Sequence, residues 1–406
     1  MAERTIVTLG DTLAALVEGK KYTTLRDILV TMNAVDVAAV FEDMPQDKLP
    51  LLFRLLPKEL AAETFVEMAP EAQELLIQGF SDNELKEVVD ELYVDDAVDI
   101  VEEMPANVVK RILQQADPEM RKMINEILKY PDDSAGSIMT TEYVSLRPNM
   151  TAEEAIKRIR RVGVDKETIY TCYVTNPNRV LEGVVTVKEL LLSDYDKHIG
   201  DIMEENVLFA RTSDDQEHIA GMFRKYDLLC LPVVDNEQRL VGIITIDDAV
   251  DVMQEENTED FEKMAALSPS EDTYLKTPSF VHAKKRLGWL LILMVSATIT
   301  GGIISHYEEA FNAIPLLVSF IPMLMDTGGN CGSQSSTLII RGIALNQVTF
   351  HDFFRVIWKE FRVSLIVGVV LAVANGLRIY LTYQQAGMAI VIALSLVATV
   401  ISAKLL

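Results

Sequence analysis

The stretch Met325-Asp-Thr-Gly-Gly-Asn-Cys-Gly-Ser-Gln-Ser-Ser-Thr-Leu-Ile339 is a polar, glycine-rich insert carrying Asp326 inside an otherwise apolar region. At membrane depth an ionisable group and open backbone are tolerated only where they face a bundle interior or a watery cavity, so the insert marks a substrate path. The substrate such a path implies is an ion.

Outward from this insert the chain is rich in apolar runs. Residues 287–305 carry no charge and follow Lys284, Lys285 and Arg286, and about 20 such residues span a bilayer core. Residues 310–325, leading through the insert to 340, form a second candidate span, 361–383 a third and 386–403 a fourth. So many apolar runs in so short a region cannot all be buried in a small soluble domain, and a four-span helical bundle over 281–406 is expected. The loop at 306–312 has no Lys or Arg, whereas that before the third span holds Arg341, Arg355, Lys359 and Arg362. The positive-inside rule then puts the large N-terminal part in the cytoplasm. Residues 1–20 lack the basic start and apolar core of a signal peptide.

Charge divides the chain in the same place. Residues 1–280 hold 28 Lys and Arg against 56 Asp and Glu, a balance of −28, and the remainder is at +4. A polyanion of this kind repels nucleic acid and anionic headgroups and gathers cations. After the strand-like residues 240–245, Asp247, Asp251, Glu255 and Glu259 recur every four residues beside Glu256 and Asp260. Like charges at that spacing cost a helix a few tenths of a kcal/mol each, about 1–2 kcal/mol together, so hard divalent cations with oxygen ligands are expected nearby. Cys172, Cys230 and Cys331 are far apart and the five histidines show no ligand spacing, which argues against zinc and disulfides. No phosphate loop, His-Glu-x-x-His pair or Gly-x-Ser-x-Gly elbow occurs, and the chain is read as a non-enzyme.

Two internal repeats organise the acidic part. Asp-Val-Ala-Ala-Val-Phe-Glu-Asp-Met-Pro at 36–45 recurs as Ala-Val-Asp-Ile-Val-Glu-Glu-Met-Pro at 97–105, with a weaker echo at 65–70. Apolar residues at helical spacing with Met-Pro stops predict a superhelix of short helices over 1–130, in which Asp95, Asp96 and Asp99 form the tightest acidic cluster. After a break at 131–136, Ser-Ile-Met-Thr-Thr-Glu-Tyr-Val-Ser-Leu from 137 is matched by Asp-Ile-Met-Glu-Glu-Asn-Val-Leu-Phe-Ala from 201. Each copy continues with a helix (151–161 and 213–226), a strand (170–175 and 230–234) and a strand and helix (183–192 and 242–250).

An Ile-Met start and a beta-alpha-beta-beta-alpha unit ending Gly-x-h-Thr, twice at about 60 residues, resembles a pair of CBS domains. With the acidic helices before it, the acidic helix after it and Thr-Gly-Gly-Asn-x-Gly-x-Gln-x-x-Thr-Leu-Ile-Ile-Arg at 327–341, the whole chain resembles the MgtE family of magnesium channels. The resemblance implies a multidomain fold. Its parts are an all-α superhelical N-terminal domain (1–130), an α+β tandem CBS pair (131–253, units about 137–200 and 201–253), a connecting or plug helix (254–280) and an α-helical transmembrane bundle (281–406).

It further implies a homodimer in the cell membrane, N-terminal domains cytoplasmic, conducting Mg2+ and closed by cytosolic Mg2+. The implied metal ligands are Glu63, Asp95, Asp99, Asp215, Glu217, Asp227, Asp248, Asp251, Glu256, Glu259 and Asp260, with main-chain oxygen near Gly136 and Ser137. Asp326 is placed in the pore by membrane chemistry, and Asn330 with main chain at Gly328 and Gly329 is expected to touch the waters of a hydrated ion. The family has a fifth span with an acidic pore residue, whereas this sequence ends as its fourth span ends, which leaves Asp326 and Asn330 as the expected polar pore lining. The alternative reading is a nucleotide-sensing transporter of divalent cations, Mn2+ or Co2+ included, because Thr245 and Asp248 fit the Thr-x-x-Asp ribose contact of CBS pairs, with Thr186 to Glu189 a weaker copy. ATP is then a co-regulator.

Overall fold

Apolar residues at three- and four-residue spacing fold the N-terminal part into α1 Leu9–Glu18, α2 Tyr22–Leu29, α3 Ala34–Glu42, α4 Leu49–Phe53, α5 Lys58–Val66, α6 Pro70–Gly79, α7 Asp82–Val89, α8 Val94–Glu103, α9 Ala106–Gln115 and α10 Pro118–Ile127. This is a computed structural model, and it describes residues 9–268, 277–309, 314–345 and 347–406. The repeated Met-Pro signature has a packing cause. Met44, Met68 and Met104 are each buried where a helix ends, in one continuous core with Phe41, Phe65 and Val101. After Met68, Pro70 opens the next helix, where a missing N–H costs nothing, and after Met104, Pro105 is the N-cap of α9. Ser81 and Glu84 close a reciprocal capping box on α7, and Arg54 reaches the same carboxylate at 2.6 Å.

Two three-stranded sheets follow, β1 Ser145–Leu146, β2 Thr171–Thr175 and β3 Leu181–Thr186, then β4 Ala210–Arg211, β5 Cys230–Val234 and β6 Leu240–Thr245. In each the short first strand runs parallel to the second and the second antiparallel to the third, with Thr171 facing Thr186 and Cys230 facing Thr245. Helices α11 Ala152–Val162, α12 Val187–Leu192, α13 Ile199–Ile202 and α14 Gln216–Tyr226 complete the two copies.

The copies are interlocked. Met139, from the start of the first, packs in the core of the second, and Met203, from the start of the second, packs in the core of the first. Thr140 exchanges backbone hydrogen bonds with Ile243 at 2.8 and 2.9 Å, and Glu204 with Val184 at 2.9 and 3.0 Å. A Cβ on Gly242 would stand 2.6 Å from Met139 Sδ, and one on Gly183 2.6 Å from Met203 Sδ. The Ile-Met and Gly-x-h-Thr signatures are thus two halves of one contact, made crosswise. Tyr173, Leu240 and Ile243 form a further buried cluster between the copies.

The chain divides into two compact units, Met1–Met253 and Gln254–Leu406, and α15 Ile246–Met264 runs through the boundary. The connecting helix expected at 254–280 is the second half of α15 and ends at Met264; residues 269–276 lie outside the described residues.

The second unit contains α16 Ser279–His306, a 3-10 turn at Pro315–Phe320, α17 Ile321–Ala344, α18 Phe353–Tyr383 and α19 Ala386–Leu405. The expected loop at 306–312 and second span from 310 fall partly on residues 310–313, outside the described residues. Among the described residues three segments, Ser279–His306, Phe350–Tyr383 and Ala386–Leu405, are long and apolar enough to cross a membrane. α17 is long enough at 24 residues, but its polar insert keeps it below that hydropathy. The insert is not the open backbone expected of it. It is continuous helix, because Gly328 and Gly332 lie one turn apart and form a groove for α19: a Cβ at Gly328 would meet Thr399 Cγ2 at 2.9 Å, and one at Gly332 the Ala403 carbonyl at 3.1 Å.

Candidate functional site

In the first unit, α8 begins Val-Asp-Asp-Ala-Val-Asp, which sets Asp95 and Asp96 in its first turn, where the helix dipole favours them, and Asp99 one turn on. Asp95 is 8% exposed. Asp248 sits at the start of α15, where Thr245 Oγ1 donates to its Oδ2 at 2.7 Å. Glu142 and Glu167 come from the segment between the superhelix and β2; Thr140 Oγ1 donates to Glu142 at 2.6 Å, and Glu167 Oε2 is buried with no hydrogen-bond partner among the described residues.

These carboxylates burden one another. Burial, then Asp248, pushes Asp95 well above the ordinary carboxylate range and raises Asp96 and Asp99 to about 7. Water reaches the Asp99 side chain, so its shift is the most screened of the three. Burial, then Asp247 and Asp96, raises Glu167 to about 8. Burial raises Asp248 to about 6 against the opposing pull of the Thr245 hydroxyl. Among the described residues, none of Asp95, Asp96, Asp99, Glu142, Glu167 and Asp248 ion-pairs with a lysine or arginine.

Also among the described residues, no three His, Cys, Asp or Glu side chains stand close enough to hold a bare metal ion. The oxygen-only donor set and uncompensated charge fit a small hard cation that keeps several of its waters and uses one or two carboxylates directly, as Mg2+ does. They do not fit a soft metal.

The other expected ligands are spread more widely. Asp251 lies one turn after Asp247 on α15, exposed, and is pushed up by burial and by Asp247. Asp215 caps α14, accepting from the Glu217 and His218 amides at 3.0 and 3.4 Å, and Asp227 ends the same helix in the left-handed conformation at φ 52°. Glu217 lies in the first turn of α14 and Glu63 is exposed on α5; Glu67, the residue that follows α5 as its C-cap, acts on Asp96. Gly136 donates its N–H to the Thr212 carbonyl at 3.0 Å, and the Ser137 hydroxyl bonds the Ser134 carbonyl at 2.8 Å. In the second unit Glu259 pairs with Lys263 at 2.6 Å and Asp260 with Arg341 at 3.3 Å, so each already has a cation; Glu256 lies on the same helix.

Sequence reasoning missed Glu142 and Glu167. Each stands apart from the acidic runs, and only folding brings them to α8 and α15.

On α17 the exposed residues Asp326, Gly329, Asn330, Ser333, Gln334 and Thr337 recur at three- and four-residue spacing, which makes one polar face. Gly328, Cys331, Gly332 and Ser335 lie on the packed side. Of the expected pore residues, Asp326, Gly329 and Asn330 share the open face and Gly328 does not.

Families of known proteins match several stretches of the chain. Residues 32–133 match the MgtE intracellular N domain family, 135–195 and 199–255 the CBS domain family, and 321–406 the MgtE divalent cation transporter family. A magnesium transporter MgtE from Thermus thermophilus is 34% identical over 376 residues, covering 92% of this chain and 82% of the relative. One from Bacillus subtilis is 30% identical over 386 residues, covering 95% and 85%. A crystal structure of the cytosolic domain of the Mg2+ channel MgtE in complex with ATP, 34% identical, covers 60% of this chain and all of its own with a TM-score of 0.57. The soluble part of a magnesium transporter, 28% identical, covers 61% and 97% with the same TM-score. With two relatives at this identity along most of their length, the chain belongs to the MgtE family.

Proposed function

We propose that this chain is a membrane protein that conducts magnesium between two copies of itself and is closed by magnesium on the side of its acidic domains. The observation that carries the regulatory half is the carboxylate cluster of Asp95, Asp96, Asp99, Glu142, Glu167 and Asp248, partly buried and, among the described residues, without a basic partner. Without metal these groups repel one another and loosen the contact between superhelix and CBS pair. Hydrated divalent ions between them favour the closed, compact form. Moving the equilibrium from 1:99 to 99:1 takes about 5.5 kcal/mol in total, which several weak sites supply together. Asp215, Glu217, Asp227, Asp251, Glu63 and the α15 acids serve as further sites.

The polar face of α17 supports the conducting half. A face bearing Asp326, Asn330, Ser333 and Gln334 is unfavourable against lipid, and a second copy of the chain would enclose it as a water-lined path. Asn330 and Asp326 then contact the waters of the ion. The Lys and Arg distribution supports an orientation with the acidic domains in the cytoplasm.

Asp95→Asn, Asp99→Asn and Asp248→Asn combined should leave current flowing at internal magnesium that silences the wild type. Unchanged inhibition in patch recordings overturns the sensor.

A second reading, nucleotide co-regulation, is favoured by one contact: Thr245 and Asp248 are already joined at 2.7 Å in a Thr-x-x-Asp arrangement, and a similar cytosolic domain was solved with ATP. Titration of ATP with and without magnesium, followed by calorimetry, separates the two ligands.

A further inference from the structure

Lys404 on α19 reaches Ser335 Oγ at 2.7 Å and Glu360 Oε2 at 3.5 Å, and Ser335 Oγ donates to Glu360 Oε2 at 2.7 Å. The Lys404 and Glu360 side chains are 6% and 13% exposed, and Ser335 is buried. One hydroxyl on α17, one carboxylate on α18 and one ammonium on α19 therefore join three helices at a single buried point. Elsewhere α17 meets α19 through Gly328 and Gly332, contacts of small groups that permit close approach but resist rotation weakly.

Ser335 lies five residues beyond Asn330, about 7.5 Å along the axis and about 140° around it. Held at Ser335, the helix turns Asp326 and Asn330 outward. A rotation by one residue, about 100°, in the sense that brings Asn330 to the place of Cys331 would withdraw Ser335 from its partners and carry Asn330 toward the packed side. An ion pair with so little water also resists being parted, because either charge left alone is uncompensated.

We infer that Lys404, through Ser335 and Glu360, is a positioning residue: the triad sets which face of α17 meets the ion path, and so how sharply the path selects among cations. The inference rests on the reading that α17 lines that path.

The test uses the full chain in membranes with Cys172 and Cys230 replaced by alanine. One reporter is the native Cys331, on the packed side; the other is Asn330→Cys with Cys331→Ala. With Lys404 present, the thiol at 330 should react with a water-soluble, membrane-impermeant thiol reagent at least tenfold faster than that at 331. Lys404→Met should bring the two rates within about threefold, and Lys404→Arg should restore the difference. An undiminished difference in Lys404→Met overturns the positioning role, since loss of stability alone lowers the amount of protein without exchanging the two faces. If Lys404→Met fails to reach the membrane, Ser335→Ala decides in its place. It removes the link to α17 while leaving Glu360 and Lys404 paired; a smaller rate difference supports the role, and an unchanged one overturns it.

Recordings on the same variants with native cysteines should show Mg2+ to Na+ permeability falling at least fivefold in the variant that loses the face difference. A wild-type chain that carries no cation current overturns the path reading and the selectivity claim with it. Unchanged permeability in a conducting variant whose faces have exchanged overturns the selectivity claim alone.

Discussion

The two units treat buried carboxylates in opposite ways. In the first, the buried or half-buried Asp95, Asp96, Glu167 and Asp248 crowd together with the more exposed Asp99, and among the described residues no basic side chain pairs with them. In the second, Glu360 has its own lysine and a serine to complete its hydrogen bonding. A charge compensated by the chain itself is a permanent joint, and one left for a mobile ion to compensate responds to the concentration of that ion. On the two proposals made above, the same residue type would serve as a lock in one unit and as a sensor in the other.

Breaking the lock should have the largest effect. Lys404→Met leaves Glu360 buried and unpaired, and a loss of about 3–5 kcal/mol is expected. Replacing both partners, Lys404→Met with Glu360→Gln, should be near neutral. Thermal unfolding in detergent checks both, and equal losses in the two variants would mean that packing rather than charge holds the joint.

Acidity distinguishes the sensor from the lock. Asp96 and Asp99 at about 7, Glu167 at about 8 and Asp248 at about 6 are all raised above the unfolded range near 4. Below about pH 4 both states are protonated and the groups contribute no difference. As pH rises to about 8, the unfolded chain releases protons that the folded cluster keeps, so the metal-free protein loses stability across that window. A carboxyl that keeps its proton one pH unit longer in the folded chain than in the unfolded one accounts for a loss on the order of 1.4 kcal/mol, and relaxation of the site reduces the total. Saturating magnesium should flatten the dependence, because the bound ion favours the ionised form. Denaturant titrations at pH 5 and pH 8, with magnesium and with chelator, read this directly, and a slope indifferent to magnesium would detach the cluster from metal.

Smaller effects belong to the margins of the sensor. Asp251→Asn, at an exposed position beside Asp247, should weaken protection from protease by millimolar magnesium about two- to threefold. Full protection would remove Asp251 from the set. Glu84, held near 2 chiefly by its hydrogen bond to Arg54, is a surface carboxylate already satisfied. Glu84→Gln should cost about 1 kcal/mol or less and leave the magnesium response unchanged. Being depressed, Glu84 contributes above about pH 4 and loses its contribution as pH falls toward 2, the reverse of the cluster.

Much of this contrast was legible along the chain on one side and almost none on the other. Asp95, Asp99 and Asp251 sit in acidic runs that declare themselves by spacing, and Asp248 entered through the family resemblance. Glu142 and Glu167 occur singly, and Ser335, Glu360 and Lys404 are 25 to 69 residues apart, so no local pattern joins them. The two-residue strands β1 and β4 were expected only as the opening strand of each beta-alpha-beta-beta-alpha unit, without bounds, since so few residues carry no period. The glycines of α17 were legible as special but open to two meanings. Glycine serves an exposed backbone and a tight helix contact equally well, and only the presence of α19 beside Gly328 and Gly332 selects the second.

By itself the sequence determined the domain order, the helical superhelix, the CBS strands, the apolar spans and the acidic surplus, because each is written in periodicity or composition over a dozen residues or more. Tertiary structure decided which carboxylates share a site, how the CBS copies exchange their opening segments, and which face of α17 is packed. Those outcomes depend on contacts between residues remote in sequence. Their energies come from burial and from charge at short range, which exist only once the elements have come together.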